Sequence, residues 1–252
     1  LASVPDFVIE PLHGDPSVRP IAVFCDGFAY HVQPEEPVSR LSDDIRKRRA
    51  ILDTGYWLQW SVTWDDVQEF LDDSENGSVR SILADVDAHR LSILHGQVGG
   101  MDRATGELSS MGLLWRYLEG SEAEAWESHA SLRAVAWGAT KPFLAVETGN
   151  AVENALLGEE SELGAVEQQA EPDPEVISRF RSPGAVSLLV RTPGSALRTG
   201  QLSEARAVLR LNDDQMRRRE ESFKQDWRVF LQAWNLLQFL PDLQVTDTEG
   251  ID

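Results

Sequence analysis

The chain has 252 residues, 42 of them Asp or Glu against 23 Lys or Arg, for a net charge of −19 at pH 7, and 42% of it is hydrophobic. That length and composition suit one large globular domain or two modest ones, while the acid excess repels phosphate on average and argues against a broad basic nucleic-acid-binding face. No run of about 18 apolar residues is present to span a membrane, no basic-then-apolar leader precedes the first element, and a lone Cys25 excludes an internal disulfide and fits a reducing, cytoplasmic setting.

The chain begins at Leu1 without Met and runs almost at once into a strand, so it is read as a piece of something longer. Residues 5–10 and 20–26 read as two strands, and the turn-rich Pro11-Leu12-His13-Gly14-Asp15-Pro16 between them predicts a hairpin. The second strand, Ile21-Ala22-Val23-Phe24-Cys25, ends in Asp26-Gly27-Phe28-Ala29-Tyr30-His31, which delivers an acid and a histidine at a strand tip. Residues 38–53 read as a helix with Leu41, Ile45, Ala50, Ile51 and Leu52 on its apolar side, acids in its first turn and Gly55 as a left-handed cap. Tyr56–Trp64 reads as a strand, and Thr63-Trp64-Asp65-Asp66-Val67 opens a short helix.

After a polar break at 72–78, residues 79–95 are expected to be helical, 108–128 to form one or two helices, and Leu132–Trp137 and Phe143–Val146 to be strands. The acidic stretch 158–175 reads as a linker. Val186–Arg191 and Ala207–Leu211 read as strands. A final helix is expected over 214–240, with Met216, Phe223, Trp227, Phe230, Trp234, Leu237 and Leu240 on one face and Pro241 ending it. The eight tryptophans are expected to anchor the core or interfaces.

Three stretches in order carry a resemblance. Val4-Pro5-Asp6-Phe7 looks like a "PD" motif. Ala22–His31 looks like an apolar strand leading into a metal-site position, a Gly, an aromatic and a His. Asp43–Leu52, then Gly55-Tyr56 and the Trp-rich strand, look like the helix and strand that follow. Together they resemble the very-short-patch-repair endonuclease of the PD-(D/E)XK superfamily. The tip, the helix and the tail Trp227–Leu240 also resemble the carboxyl end of bacterial DEAD/DEAH-box helicases, some of them acting in defence against foreign DNA. No P-loop motif is present, so any motor would lie in another part of such a protein.

The resemblance implies an α/β fold: a restriction-endonuclease-like mixed-sheet domain over 1–98, followed by a second α/β domain over 99–252 with a long carboxyl-terminal helix. It implies an endonuclease-like module acting on or contacting DNA phosphodiesters, with Mg²⁺ held by Asp6, the main-chain oxygen of Cys25 and Asp26. Asp6, Asp26, His31 and Asp44 would be the catalytic set. Asp43 or Asp44 would orient the histidine, and Arg46, Lys47 and Arg49 would meet phosphate. The partners implied are DNA, held weakly by this chain alone, and helicase motor domains or another protein.

Two departures support an alternative, a nuclease fold kept as an inactive scaffold for protein contacts. Phe24 and Asp26 stand where the superfamily's acid and lysine stand, and no Lys follows. The acidic surface suggests a third reading, a mimic of DNA. Residue by residue, Arg217-Arg218-Arg219 reads as exposed intrahelical ion pairs, Cys25 as buried and inert, and His13, His89, His95 and His129 show no zinc-ligand spacing.

Overall fold

The computed structural model describes residues 4–11, 18–73, 108–120, 123–138, 175–181, 185–193, 195–196 and 204–248. The expected hairpin is present. Strand β1 (Phe7–Ile9) runs antiparallel to β2 (Ile21–Asp26), with Phe7 opposite Val23 and Ile9 opposite Ile21. After Gly27 comes a single helical turn, α1 (Phe28–His31), which the sequence does not announce. Helix α2 (Leu41–Leu52) then carries the chain to β3 (Leu58–Thr63), which pairs parallel with β2 along its whole length.

Helix α2 starts three residues later than expected, because the Ser39 hydroxyl accepts from the Leu41 N–H and the Arg40 N–H donates back to His31 O. Its buried side is Leu41, Ile45 and Arg48, at steps of four and three, while Ala50 is exposed. Gly55 ends it at φ 68°, the left-handed cap the sequence predicts. Helix α3 (Trp64–Asp73) opens with a reciprocal cap: Thr63 N donates to Asp66 Oδ2 at 2.8 Å, and Asp66 N donates to Thr63 Oγ1 at 3.2 Å.

Beyond it lie α4 (Ser110–Leu118) and α5 (Ala123–Gly138). The strand expected at Leu132–Trp137 is helix instead, the last turns of α5. The cause is visible in the burial: His129 to Ala134 are all buried, the polar His129, Ser131 and Arg133 as well as the apolar residues between them, so polarity marks no solvent face from which a helical period could be read. The expected helix at 79–95, the strand at Phe143–Val146, nearly all of the acidic linker and the domain boundary near 98 lie outside the described residues.

The second sheet is four-stranded: β4 (Glu175–Arg181), β5 (Val186–Pro193), β6 (Arg206–Leu211) and β7 (Asp242–Thr246). The first three are antiparallel and β7 joins β6 in parallel. Strand β7 is not expected from the sequence. The expected helix over 214–240 is two helices, α6 (Gln215–Arg218) and α7 (Phe223–Leu237). Met216 is 77% exposed, so the apolar stripe begins only at Phe223.

Helix α7 is the centre of the molecule. Thirteen of its fifteen residues are buried, and it packs on β3, β5, β6, α4 and α5. Trp227 and Trp234 are core, as expected, and Trp60 and Trp126 are also fully buried. One hydrophobic cluster runs from Ile21 to Val245, so residues of both expected domains share it. The fold is mixed α/β with two mixed sheets around a shared helix. Among the described residues, no helix is long and apolar enough to cross a membrane.

Among the described residues, no strand pairs with the outer edge of β3. Its outward amides meet side chains instead: Gln59 N donates to Gln238 Oε1 (3.0 Å), Ser61 N to Asn235 Oδ1 (2.8 Å) and Thr63 N to Asp66 Oδ2, while Asn235 Nδ2 donates to Ser61 O (2.7 Å). The helices thus satisfy a sheet edge that would otherwise leave buried polar groups unpaired. Arg228 of α7 ties the same corner together, donating to Asp66 Oδ1 (2.8 Å) and to Glu69.

Candidate functional site

The tip of β2 opens into a cleft of about 520 Å³, whose polar lining comes from Asp6, Asp26, His31, Asp44, Lys47 and Arg48. The chain brings these together by simple means. The hairpin sets Asp6 beside Cys25, and Asp6 Oδ2 accepts the Cys25 N–H at 2.8 Å. The α1 turn folds His31 back over the tip. It is held there by Phe28, whose ring packs edge-on against Trp227 at 5.5 Å. The first turn of α2 presents Asp44, and its core-facing side presents Arg48.

Two pairs result. His31 Nδ1 lies 2.5 Å from Asp44 Oδ2, and its Nε2 lies 3.4 Å from Asp26 Oδ1. Asp44 fixes the Nδ1 side of the ring, so Nε2 is the atom turned toward Asp26 and the cleft. Asp26 is buried and held two-pronged by Arg48, Nη2 to Oδ1 at 2.5 Å and Nη1 to Oδ2 at 2.9 Å. Arg48 Nη1 also donates to Ser61 Oγ (2.7 Å), and its guanidinium lies over the Phe24 ring. Hydrogen bonds therefore link Asn235 on α7 to Ser61, Ser61 to Arg48 and Arg48 to Asp26, beside which His31 Nε2 stands at 3.4 Å.

Of the expected catalytic residues, Asp6, Asp26, His31 and Asp44 all line one cleft. The expectation that Asp6 and Asp26 share a cation does not fit the geometry. Both Asp26 oxygens already accept from Arg48, and an ion placed on them would face the guanidinium charge. Among the described residues, no group of three or more His, Cys, Asp or Glu side chains is arranged to hold a metal. The Asp6 carboxylate lies instead along the strand edge that carries the Cys25 main-chain oxygen. In an extended strand that oxygen shares an edge with the Cys25 N–H that Asp6 accepts.

Cys25 itself is exposed, not buried. Partial burial, followed by the charges of Asp6 and Asp26, pushes its thiol above the usual range. Of the expected phosphate contacts, Arg46 is exposed and Arg49 half-buried on α2. Lys47 stands at the cleft wall, with Nζ 2.5 Å from Asp43 Oδ2, a hydrogen bond that raises its ammonium.

Two residues of consequence are not singled out by the sequence. Arg48 sits inside a basic run that reads as a solvated face. Only its place three residues after Ile45 marks it as inward. Arg218 is buried rather than an exposed ion pair; the expectation holds for Arg217, which meets Glu220 at 3.1 Å. Comparison with family models, with curated proteins and with solved structures finds no match to this chain.

Proposed function

We propose that the cleft at the tip of β2 acts on phosphodiesters, with His31 as the group that moves a proton and Asp44 as its orienting acid. The observation that carries this reading is the Asp44–His31 pair with Nε2 turned into an open cleft bordered by Asp6, Lys47 and Arg48. Asp6 and the Cys25 main-chain oxygen are the donors that would hold Mg²⁺, which would polarise a phosphoryl oxygen and lower the pKa of a bound water. Arg48 grips Asp26 with two hydrogen bonds beside the histidine. Lys47 offers positive charge at the mouth.

A restriction-endonuclease-like core is part of the proposal. Its support is the β1–β2 hairpin followed by the α2 crossover to a parallel β3. Placement at the carboxyl end of a bacterial DNA helicase rests on the sequence stretches that resemble those proteins, and it gives the acidic chain a partner that supplies grip on DNA.

The test is cleavage of plasmid and oligonucleotide DNA with Mg²⁺ or Mn²⁺ by the wild type, His31→Ala and Asp44→Asn. Wild-type nicking with a loss of roughly 100- to 10,000-fold in His31→Ala supports it. Nicking that survives His31→Ala, or none by the wild type, overturns it. A second reading, the inactive scaffold, is favoured by the closed Arg48–Asp26 pair, which takes up both carboxylate oxygens of Asp26. It predicts no heat on calorimetric titration with Mg²⁺.

A further inference from the structure

The loop between the two members of the His31–Asp44 pair has little structure of its own. It leaves α1 at Val32, passes Gln33 at φ 47° and two prolines, and re-enters α2 at Leu41. Within it the Glu36 N–H donates to Gln33 O, and the loop is closed by Arg40 N to His31 O. Its remaining order comes from the other end of the chain.

Arg218 places all five of its N–H groups on main-chain oxygens. Nε donates to Asp213 O (2.9 Å), Nη1 to Val32 O (2.9 Å) and Gln33 O (2.8 Å), and Nη2 to Glu36 O (3.0 Å) and Pro37 O (3.0 Å). Arg219 takes the two between them, Pro34 O at 3.3 Å and Glu35 O at 3.4 Å. Six successive carbonyls thus accept from two adjacent guanidinium groups. Arg218 is 3% exposed and, among the described residues, has no carboxylate among its hydrogen-bond partners. A cation buried this way is tolerated only because its whole donor fork is matched by dipoles, and the same match fixes where each carbonyl must lie.

We propose that Arg218 is a positioning residue for the His31–Asp44 pair, setting the loop that joins them from a helix nearly two hundred residues away in sequence. The activity arm of this inference rests on the phosphodiester reading of the cleft; its spectroscopic arm does not. Lysine keeps the charge but offers one nitrogen with three donors, which cannot span carbonyls from Val32 to Pro37 and Asp213 together.

The experiment uses the full chain as wild type, R218K, R218A and, as a control with an exposed ion pair, R217Q. In the nicking assay R218K is expected to lower kcat about 100-fold with KM within about twofold, the signature of a displaced catalytic group. Guanidinium added to R218A restores part of the loss, and R217Q matches the wild type. In parallel, the ring ¹H–¹⁵N signals of His31 move and broaden in R218K while the indole signals of Trp60 and Trp234 stay in place. His31 signals that superimpose on those of the wild type overturn the proposal. So does loss of the Trp60 and Trp234 signals in both Arg218 variants, since Arg218 would then hold the core as a whole. If the wild type cleaves nothing, the phosphodiester reading fails and the His31 signals alone decide the role of Arg218.

Discussion

The two edges of the three-stranded sheet are treated in opposite ways. On the β3 side, the outward amides of Gln59, Ser61 and Thr63 are taken by side chains of Gln238 at the end of α7, Asn235 on α7 and Asp66 on α3. On the β1 side, no further strand pairs among the described residues, and Val4, Phe7 and Val8 are exposed. The site lies between them. Its fixed members, Asp26 and Arg48, lean on the closed side through Ser61. Asp6 and Cys25 belong to the open side, where Asp6 reaches no deeper than the Cys25 N–H. Groups whose geometry must hold are tied to the buried helix, and groups left to meet a ligand are tied to the strand that, among the described residues, has no partner on its outer flank.

If that contrast is right, the closed side is where substitutions cost most. Arg48→Met leaves Asp26 buried and uncompensated, and is expected to cost about 3–5 kcal/mol in urea unfolding. Replacing both partners, Arg48→Met with Asp26→Leu, is expected to recover most of it. A double variant as unstable as the single one would mean that the pair is not coupled. Asn235→Ala strands the Ser61 N–H and C=O together, an expected loss of about 2–4 kcal/mol, and Gln238→Ala strands only the Gln59 N–H, about 1–2 kcal/mol. If Asn235→Ala costs no more than an ordinary surface change, the sealed edge is not what holds the site.

The part of the fold that sequence reveals is the part built on regular periods. The hairpin, α2, β3 and the opening of α3 follow alternation, helical spacing and turn chemistry, and each is found close to its expected bounds. The same local reading puts Asp6, Asp26, His31 and Asp44 at candidate positions, and the fold does gather them. What stays hidden depends on partners far along the chain. Arg48 and Arg218 sit in basic runs that look solvated, and their burial follows from an acid at the end of β2 and from carbonyls of a remote loop. Asn235 and Gln238 read as polar interruptions of an apolar stripe, yet they are the groups that close β3. The turn splitting the expected final helix has no Gly or Pro to mark it. Its Arg218 and Arg219 are committed to the loop over 32–37.

The open side should be forgiving. Phe7→Ser removes an exposed ring from an edge strand and is expected to change stability by less than about 0.5 kcal/mol. The sharper probe there is the Cys25 thiol. Its pKa is raised first by partial burial and then by the negative charges of Asp6 and Asp26. Less thiolate is therefore present at pH 8 than on a free cysteine, and iodoacetamide should alkylate Cys25 more slowly. Asp6→Asn keeps an oxygen for the Cys25 N–H but removes one charge, so the thiol should fall and alkylation quicken, by about twofold because burial remains the larger cause. The increase should fade as the pH rises past the thiol in both proteins, where each is fully thiolate. An unchanged rate at pH 8 would mean that the Asp6 charge does not reach Cys25, and the open edge would then contribute no electrostatic wall to the cleft.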